Sequence, residues 1–187
     1  MLLSVYAYGQ PVLKKVGKEI DADYPELEKL ISDMWETMYH ASGVGLAAPQ
    51  IGRSIRLFVV DTVQMMEEGQ EAEGIKMVFI NAQMEEETGQ KWAFNEGCLS
   101  IPGFFEERER PNTIKLKYLD ETGAEKVEEF SGLMSFCIQH EIEHLDGILF
   151  TDHVSRLKRE RVMKKLMKEK KQGVEYYHVH GEHCNHD

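Results

Sequence analysis

Two histidines four residues apart, His140 and His144, flank a glutamate in the segment His140-Glu141-Ile142-Glu143-His144. On a helix, residues at that spacing project from one face one turn apart, so both imidazoles can hold the same ion. Glu141 borders that face without being forced into the coordination sphere. A carboxylate so placed can take a proton from water activated by the metal and deliver it to a leaving amine. The pentad therefore suggests metal-assisted hydrolysis, with two packed histidines on an amphipathic helix as the alternative reading.

A hydrolytic site needs a third protein ligand and one open position. One extended form of the motif puts a glycine three residues after the second histidine and another histidine three further on. Gly147 is in place, but Phe150 stands where the ligand belongs. Glu160 lies within a basic stretch and reads as the ion-pair partner of a neighbouring lysine or arginine. Cys137 shares the histidine face but lies seven residues from His144, about 10.5 Å of helix rise, and reads as a small apolar residue. Cys98, in Asn95-Glu96-Gly97-Cys98-Leu99-Ser100, is turn-like and free to fold against the helix; Cys184 belongs to the C-terminal tail.

The elements around these residues follow from periodicity and punctuation. Asp23 and Pro25 read as a helix start, and Leu27, Leu30, Ile31, Met34 and Met38 form its apolar stripe out to about His40. Ile55 to Asp61, Met77 to Asn81, Ile114 to Tyr118 and Val127 to Phe130 read as strands. A second helix follows Gly132 and carries the pentad, with Gly147 as its stop. Ser155 caps a third helix, whose Val162, Leu166 and Met167 are expected to pack inward. The fold class is α+β, with antiparallel or mixed β-sheet packed around the central pentad helix. Residues 1–175 read as one catalytic domain, and the polar, histidine-rich residues 176–187 as a flexible tail, a metal-scavenging arm being the sharper alternative.

Composition limits the remaining choices. The 187 residues carry a net charge of −11, and the three cysteines are too few and scattered for a disulfide framework. No apolar run reaches membrane-spanning length and no secretory leader is apparent, so a soluble cytoplasmic protein without a membrane partner is expected. Arg156 to Lys171 has nine basic and two acidic residues, a local +7, leaving −18 elsewhere. An acidic body argues against DNA binding, while the basic helix remains available for docking.

Three separated segments together carry a resemblance. Gly43-Val44-Gly45-Leu46-Ala47-Ala48-Pro49-Gln50, Glu96-Gly97-Cys98-Leu99-Ser100 and Gln139-His140-Glu141-Ile142-Glu143-His144-Leu145-Asp146-Gly147 resemble, in order and spacing, the signature motifs of peptide deformylases. That family removes the formyl group from the initiator methionine of nascent bacterial and organellar proteins. The resemblance implies Cys98, His140 and His144 as metal ligands and Glu141 as general base and acid. It implies that the Gln50 amide and the Leu99 backbone N–H stabilise the oxyanion formed when hydroxide attacks the formyl carbonyl. Ferrous iron (Fe2+) is the implied native ion, with zinc or nickel as substitutes.

With the motifs as reference, Gly43, Val44 and Gly45 offer an edge along which a formylmethionyl peptide can add as a strand. Glu96, Gly97, Phe94, Leu133, Phe136 and Cys137 are candidate substrate contacts, four of them walls for the methionine side chain, with ordinary core packing as the alternative. The basic helix resembles the C-terminal helix that docks bacterial deformylases on the ribosome. Three departures stand out. Glu143 replaces the usual aspartate before the second histidine, and Ala82 follows Asn81 where proline is common. Gly103-Phe104-Phe105-Glu106 lacks an arginine that many members place near the substrate backbone. A zinc endopeptidase and an inactive metal- or ribosome-binding relative are the competing functions; Phe150 speaks against the first, and Glu141 with Gln50 against the second.

Overall fold

The computed structural model describes residues 1–171, so the histidine-rich tail and Cys184 lie outside the described residues. Helix α1 (Leu27–His40) is followed by strands β1 (Gly45–Ala47), β2 (Leu57–Asp61), β3 (Lys76–Cys98), β4 (Ile101–Leu119) and β5 (Glu125–Ser131). Helices α2 (Gly132–Leu145) and α3 (Arg156–Lys171) complete the order. The strands form one antiparallel sheet in sequence order, β1-β2-β3-β4-β5. The α+β class expected from the sequence is thereby realised, with antiparallel pairing throughout the named strands.

The sheet lies between two helices, and strand β2 shows why. All five of its residues are buried, and successive side chains of a strand point to opposite faces. Leu57 and Val59 join α1's Leu30, Ile31, Met34 and Met38 on one side. Phe58 and Val60 join Phe79, Ile114, Leu116, Tyr118 and Phe130 against α2's Ile138, Ile142 and Leu145 on the other. The α1 stripe is therefore the one expected, but the helix starts at Leu27, later than Asp23 and Pro25 suggested. Glu26, in the left-handed region at φ 54°, accepts the first helical bond from Leu30 N–H. Asp21 organises the preceding turn by accepting from the N–H groups of Asp23 and, through its carbonyl, Tyr24.

Strands β3 and β4 run far beyond the apolar stretches that announced them. Residues 85–93 are all exposed and, apart from Gly89, Trp92 and Ala93, polar, so they lack the alternation of a half-buried strand. Pairing across the hairpin satisfies their backbone instead, with register shifts between Ile80/Gln83, Met84/Glu86, Thr88/Lys91 and Gly97/Cys98. Such irregularities bend and twist a ladder. The outer hairpin ends at Leu99-Ser100, with Cys98 paired to Ile101. The turn-like segment Asn95 to Ser100 is thus mostly strand.

Helix α2 is held at its C-terminal end. Buried Arg56 donates to the Ala82 carbonyl at 2.9 Å, to the Leu145 carbonyl at 3.4 Å and to Asp146 at 3.0 Å. Gly147, at φ 73°, ends the helix, and an added Cβ would lie 2.5 Å from the Lys14 carbonyl oxygen. Only glycine meets both demands. Helix α3 buries Val162 and Leu166, whereas Met167 is 53% exposed. Met163, not Met167, reaches the body, with its methyl against Gly9. Residues 162, 163 and 166 share one helix face, and 167 is turned about 100° from 166. No helix of the described residues is long and apolar enough to cross a membrane.

Candidate metal centre

Helix α2 carries His140 and Glu141 onto the inner end of a cavity of about 370 Å³, with His144 one turn on, and the β3–β4 turn lays Cys98 beside them. Cys98 Sγ lies 3.3 Å from His144 Nε2, which is 3.2 Å from His140 Nε2. The ligand atoms of all three residues fall within 4.8 Å of one another, the one such grouping among the described residues. Tetrahedral bonds of about 2.0–2.1 Å to nitrogen and about 2.3 Å to sulfur would set ligand atoms roughly 3.3–3.6 Å apart. The donor set and its spacing therefore fit one transition-metal ion. Cys137 stays out of this cluster, as its distance along the helix suggested. Glu160 pairs with Arg156 at 2.9 Å on the exposed side of α3, and Phe150 is core.

The orientation of the ligands is set by a buried chain of charge. Glu96 accepts at 3.0 Å from His140 Nδ1, leaving Nε2 directed at Cys98 and His144. The same carboxylate accepts from Arg110 Nε at 2.5 Å and from its second amino group at 2.8 Å. Arg110 also donates to Glu143, which takes two further bonds of 3.2 Å from Arg108. Burial opposes ionisation of Glu96, but His140 and the Arg110 guanidinium hold its carboxyl down at about 2. Paired carboxylates of this kind fix the tautomer and ring angle of a ligating histidine. Glu143, expected to alter hydrogen bonding around the ligands, bridges both arginines. Arg108 and Arg110 were missed in the sequence because their alternation with Glu107 and Glu109 reads as an exposed charged strand.

Burial dominates the other titrating groups. It pushes the Glu141 carboxyl up to about 7, against the opposing charge of His140. Glu141 Oε2 has no hydrogen-bond partner among the described residues, nor has His144 Nδ1. Burial and the charge of His140 drive the His144 imidazole well below its usual value. On His140 burial acts in the same direction, but the bonds to Cys98 and Glu96 overcome it and raise the imidazole well above. Burial also raises the Cys137 thiol to about 12, leaving it an unreactive wall.

The loop after α1 supplies the opposite wall. Gln50, 1% exposed, sits in the short helical turn Ala48–Ile51. Its Oε1 accepts from Ala47 N–H at 3.0 Å, which turns the amide nitrogen toward Ser100 Oγ at 3.2 Å and Cys98 Sγ at 3.7 Å. Gly45 packs so tightly against the Glu141 carboxylate that a Cβ would stand 2.6 Å from its Oε1. At Gly43 a Cβ would meet the Leu99 side chain at 2.8 Å. Gly43, Val44, Gly45, Gln50, Phe94, Glu96, Gly97, Leu99, Phe136 and Cys137 all line the cavity. Leu133 does not line it and packs against the core cluster between α2 and the sheet instead.

Comparison with known proteins identifies the family. The polypeptide deformylase family model matches residues 2–160. This chain belongs to that family. It is 51% identical over 173 residues to the peptide deformylase of Christiangramia forsetii, covering 89% of this chain and 88% of that relative. The crystal structure of peptide deformylase from Ehrlichia chaffeensis superposes with a TM-score of 0.84 at 31% identity, covering 94% of this chain and all of that one. A second structure of the Ehrlichia chaffeensis protein, in complex with actinonin, gives a TM-score of 0.82 at 35% identity over 90% of this chain and 97% of that one. Membership makes the protein a hydrolase acting on the N-formyl amide.

The chain of charge behind His140 yields a direct expectation. Arg110→Met should weaken zinc or cobalt binding by about 10- to 100-fold, the usual cost of removing an outer partner of a metal site. Competition with a chelator of known affinity measures it. Unchanged affinity would show that Glu96 orients His140 without the guanidinium.

Proposed function

We propose that the protein removes the formyl group from the N-terminal formylmethionine of nascent polypeptides in the cytoplasm, releasing formate, and that residues 1–175 form its single catalytic domain. The observation that carries this reading is the convergence of Gln50, Cys98 and the α2 residues at the inner end of one largely apolar cavity. Cys98, His140 and His144 hold the metal. A divalent ion bound there supplies Lewis acidity, polarising the formyl carbonyl and acidifying water. Ferrous iron is the native ion in this proposal, with zinc or nickel as substitutes.

The protein's own groups do the rest. Glu141 accepts the proton of the attacking water and passes it to the leaving amine. Its buried carboxyl, raised to about 7, is close to neutral pH and suited to both roles. The Gln50 amide nitrogen, held by the fixed Oε1, and the Leu99 backbone N–H meet the negative charge that develops on the carbonyl oxygen. Such donors act without reorganising, because Gln50 is already oriented.

The peptide adds along the sheet edge. Strand β1 is terminal in the sheet, and Val44 uses its carbonyl to accept from Asp61 N–H. Bonding groups of an antiparallel strand alternate between its two sides, so the Gly45 N–H and C=O face away from β2. A substrate strand pairs there, and the methionine side chain lies among Phe94, Phe136 and Cys137. Glu96 and Gly97 contribute to the same wall. The basic face of α3 docks on ribosomal phosphates through residues such as Lys164 and Lys168, since Lys158 already pairs with Glu106 and Lys165 lies over Phe104.

Formate should be released from formyl-Met-Ala-Ser, with acetyl-Met-Ala-Ser and an internal peptide bond left intact. Glu141→Ala should abolish that release while metal content, measured by elemental analysis, is retained. Cleavage of the acetyl or internal substrate would instead indicate a general amidase or peptidase. Iron or nickel enzyme prepared without oxygen should exceed the zinc form in specific activity, as an assay across the three metals will establish. Ribosome binding should weaken steeply with added salt and after charge reversal at Lys164 and Lys168; sedimentation with ribosomes tests both.

A further inference from the structure

The cavity has a mouth as well as an inner end, and the two differ in chemistry. Phe136 and Cys137 lie deep, 5% and 9% exposed, whereas Phe105 at the opening is 63% exposed. An exposed phenyl ring keeps much of its apolar surface in water, a cost that a ligand can remove. Phe105 is also held in place. Its ring lies on the backbone of its cross-strand partner Gly97, where a Cβ would come within 2.7 Å of the ring. The glycine thus gives the ring a flat seat one residue before the ligand Cys98.

Around the mouth Lys165 lies over Phe104 and Lys158 pairs with Glu106, but neither lysine lines the cavity. The cavity wall contains no lysine or arginine, and its carboxylates, Glu96 and Glu141, lie at the inner end. Along β4, Phe105, Glu107 and Glu109 share the outward face, since side chains alternate across a strand and these three are exposed. An acidic residue of the substrate arriving here meets an aromatic ring and like charge. An apolar or aromatic one meets a ready partner.

We propose that Phe105 is a specificity-determining residue, a platform at the cavity mouth that selects apolar or aromatic side chains in the two positions following formylmethionine and discriminates against acidic ones. This rests on the deformylase reading above. The methionine side chain lies deep, among Phe94, Phe136 and Cys137, and the extended peptide leaving it passes Gly97 and Phe105. A single exposed aromatic pair gives about a three- to tenfold preference.

The test compares kcat/KM for formyl-Met-Phe-Ser, formyl-Met-Ala-Phe, formyl-Met-Ala-Ser, formyl-Met-Asp-Ser and formyl-Met-Ala-Asp. At least one phenylalanine peptide should exceed formyl-Met-Ala-Ser by about three- to tenfold, mainly through KM, and its aspartate counterpart should fall below. In Phe105→Ala that ratio should collapse toward one, and Phe105→Leu should retain part of it. An unaltered ratio in Phe105→Ala, or equal kcat/KM for all five peptides with the unsubstituted enzyme, would overturn the platform while leaving deformylation intact. Release of formate from none of the peptides would overturn deformylation itself, and the platform with it.

Discussion

Two imidazoles and a thiol brought within 4.8 Å of one another, in a region largely withdrawn from water, are the constraint around which this molecule is arranged. Buried polar groups lose hydration and must regain it from partners. Helix α2 brings two of the three through its own periodicity. The third comes from a turn more than forty residues away in sequence, and its position depends on every pairing of the β3–β4 hairpin. The clamp of Arg56 on the C-terminal end of α2 and the seat of Gly147 on the Lys14 carbonyl fix the helix to the sheet. The hairpin then needs only to be anchored to the helix, which the arginines accomplish.

That anchoring also solves an electrostatic problem. Glu96 and Glu143 converge on one arginine, Glu96 also acts on Glu141, and carboxylates in one low-dielectric region repel. Arg110 sits between the first two and Arg108 reinforces the second, so positive charge separates them. Glu141 is left outside this network, with one oxygen unpartnered and its carboxyl raised by burial. Two carboxylates that both feel His140 thereby acquire opposite tendencies: Glu96 is held low, bonded to the ring, and Glu141 is raised by burial. Environment divides the roles, as it does wherever titrating groups of one type do different work.

Shape is handled by leaving side chains out. At Gly45 any Cβ would displace the Glu141 carboxylate, and at Gly97 any Cβ would lift the Phe105 ring. One glycine admits the Glu141 carboxylate and the other seats the aromatic wall at the cavity mouth. The resulting cavity grades from a polar inner end to an apolar opening. It suits a small amide carried on an extended, partly apolar chain.

Much of this was legible in the residue order. The α1 stripe, the pentad helix and its glycine stop, and Ser155 at the start of α3, whose Oγ accepts from Lys158 N–H, each rest on interactions within a few residues. Local patterns carry such interactions in full. The three motifs singled out Cys98, His140 and His144, which folding brings into one cluster. Other features were decided only by folding. Glu96 turned out to orient His140, Leu133 belongs to the core, and Met163 takes the place expected of Met167. Arg108 and Arg110 look like surface charge in a strand of alternating sign until α2 is laid across them. A one-dimensional pattern records which side chains share a face of their own element. It does not record which other element covers that face, and burial, pairing and the resulting pKa shifts all depend on that cover.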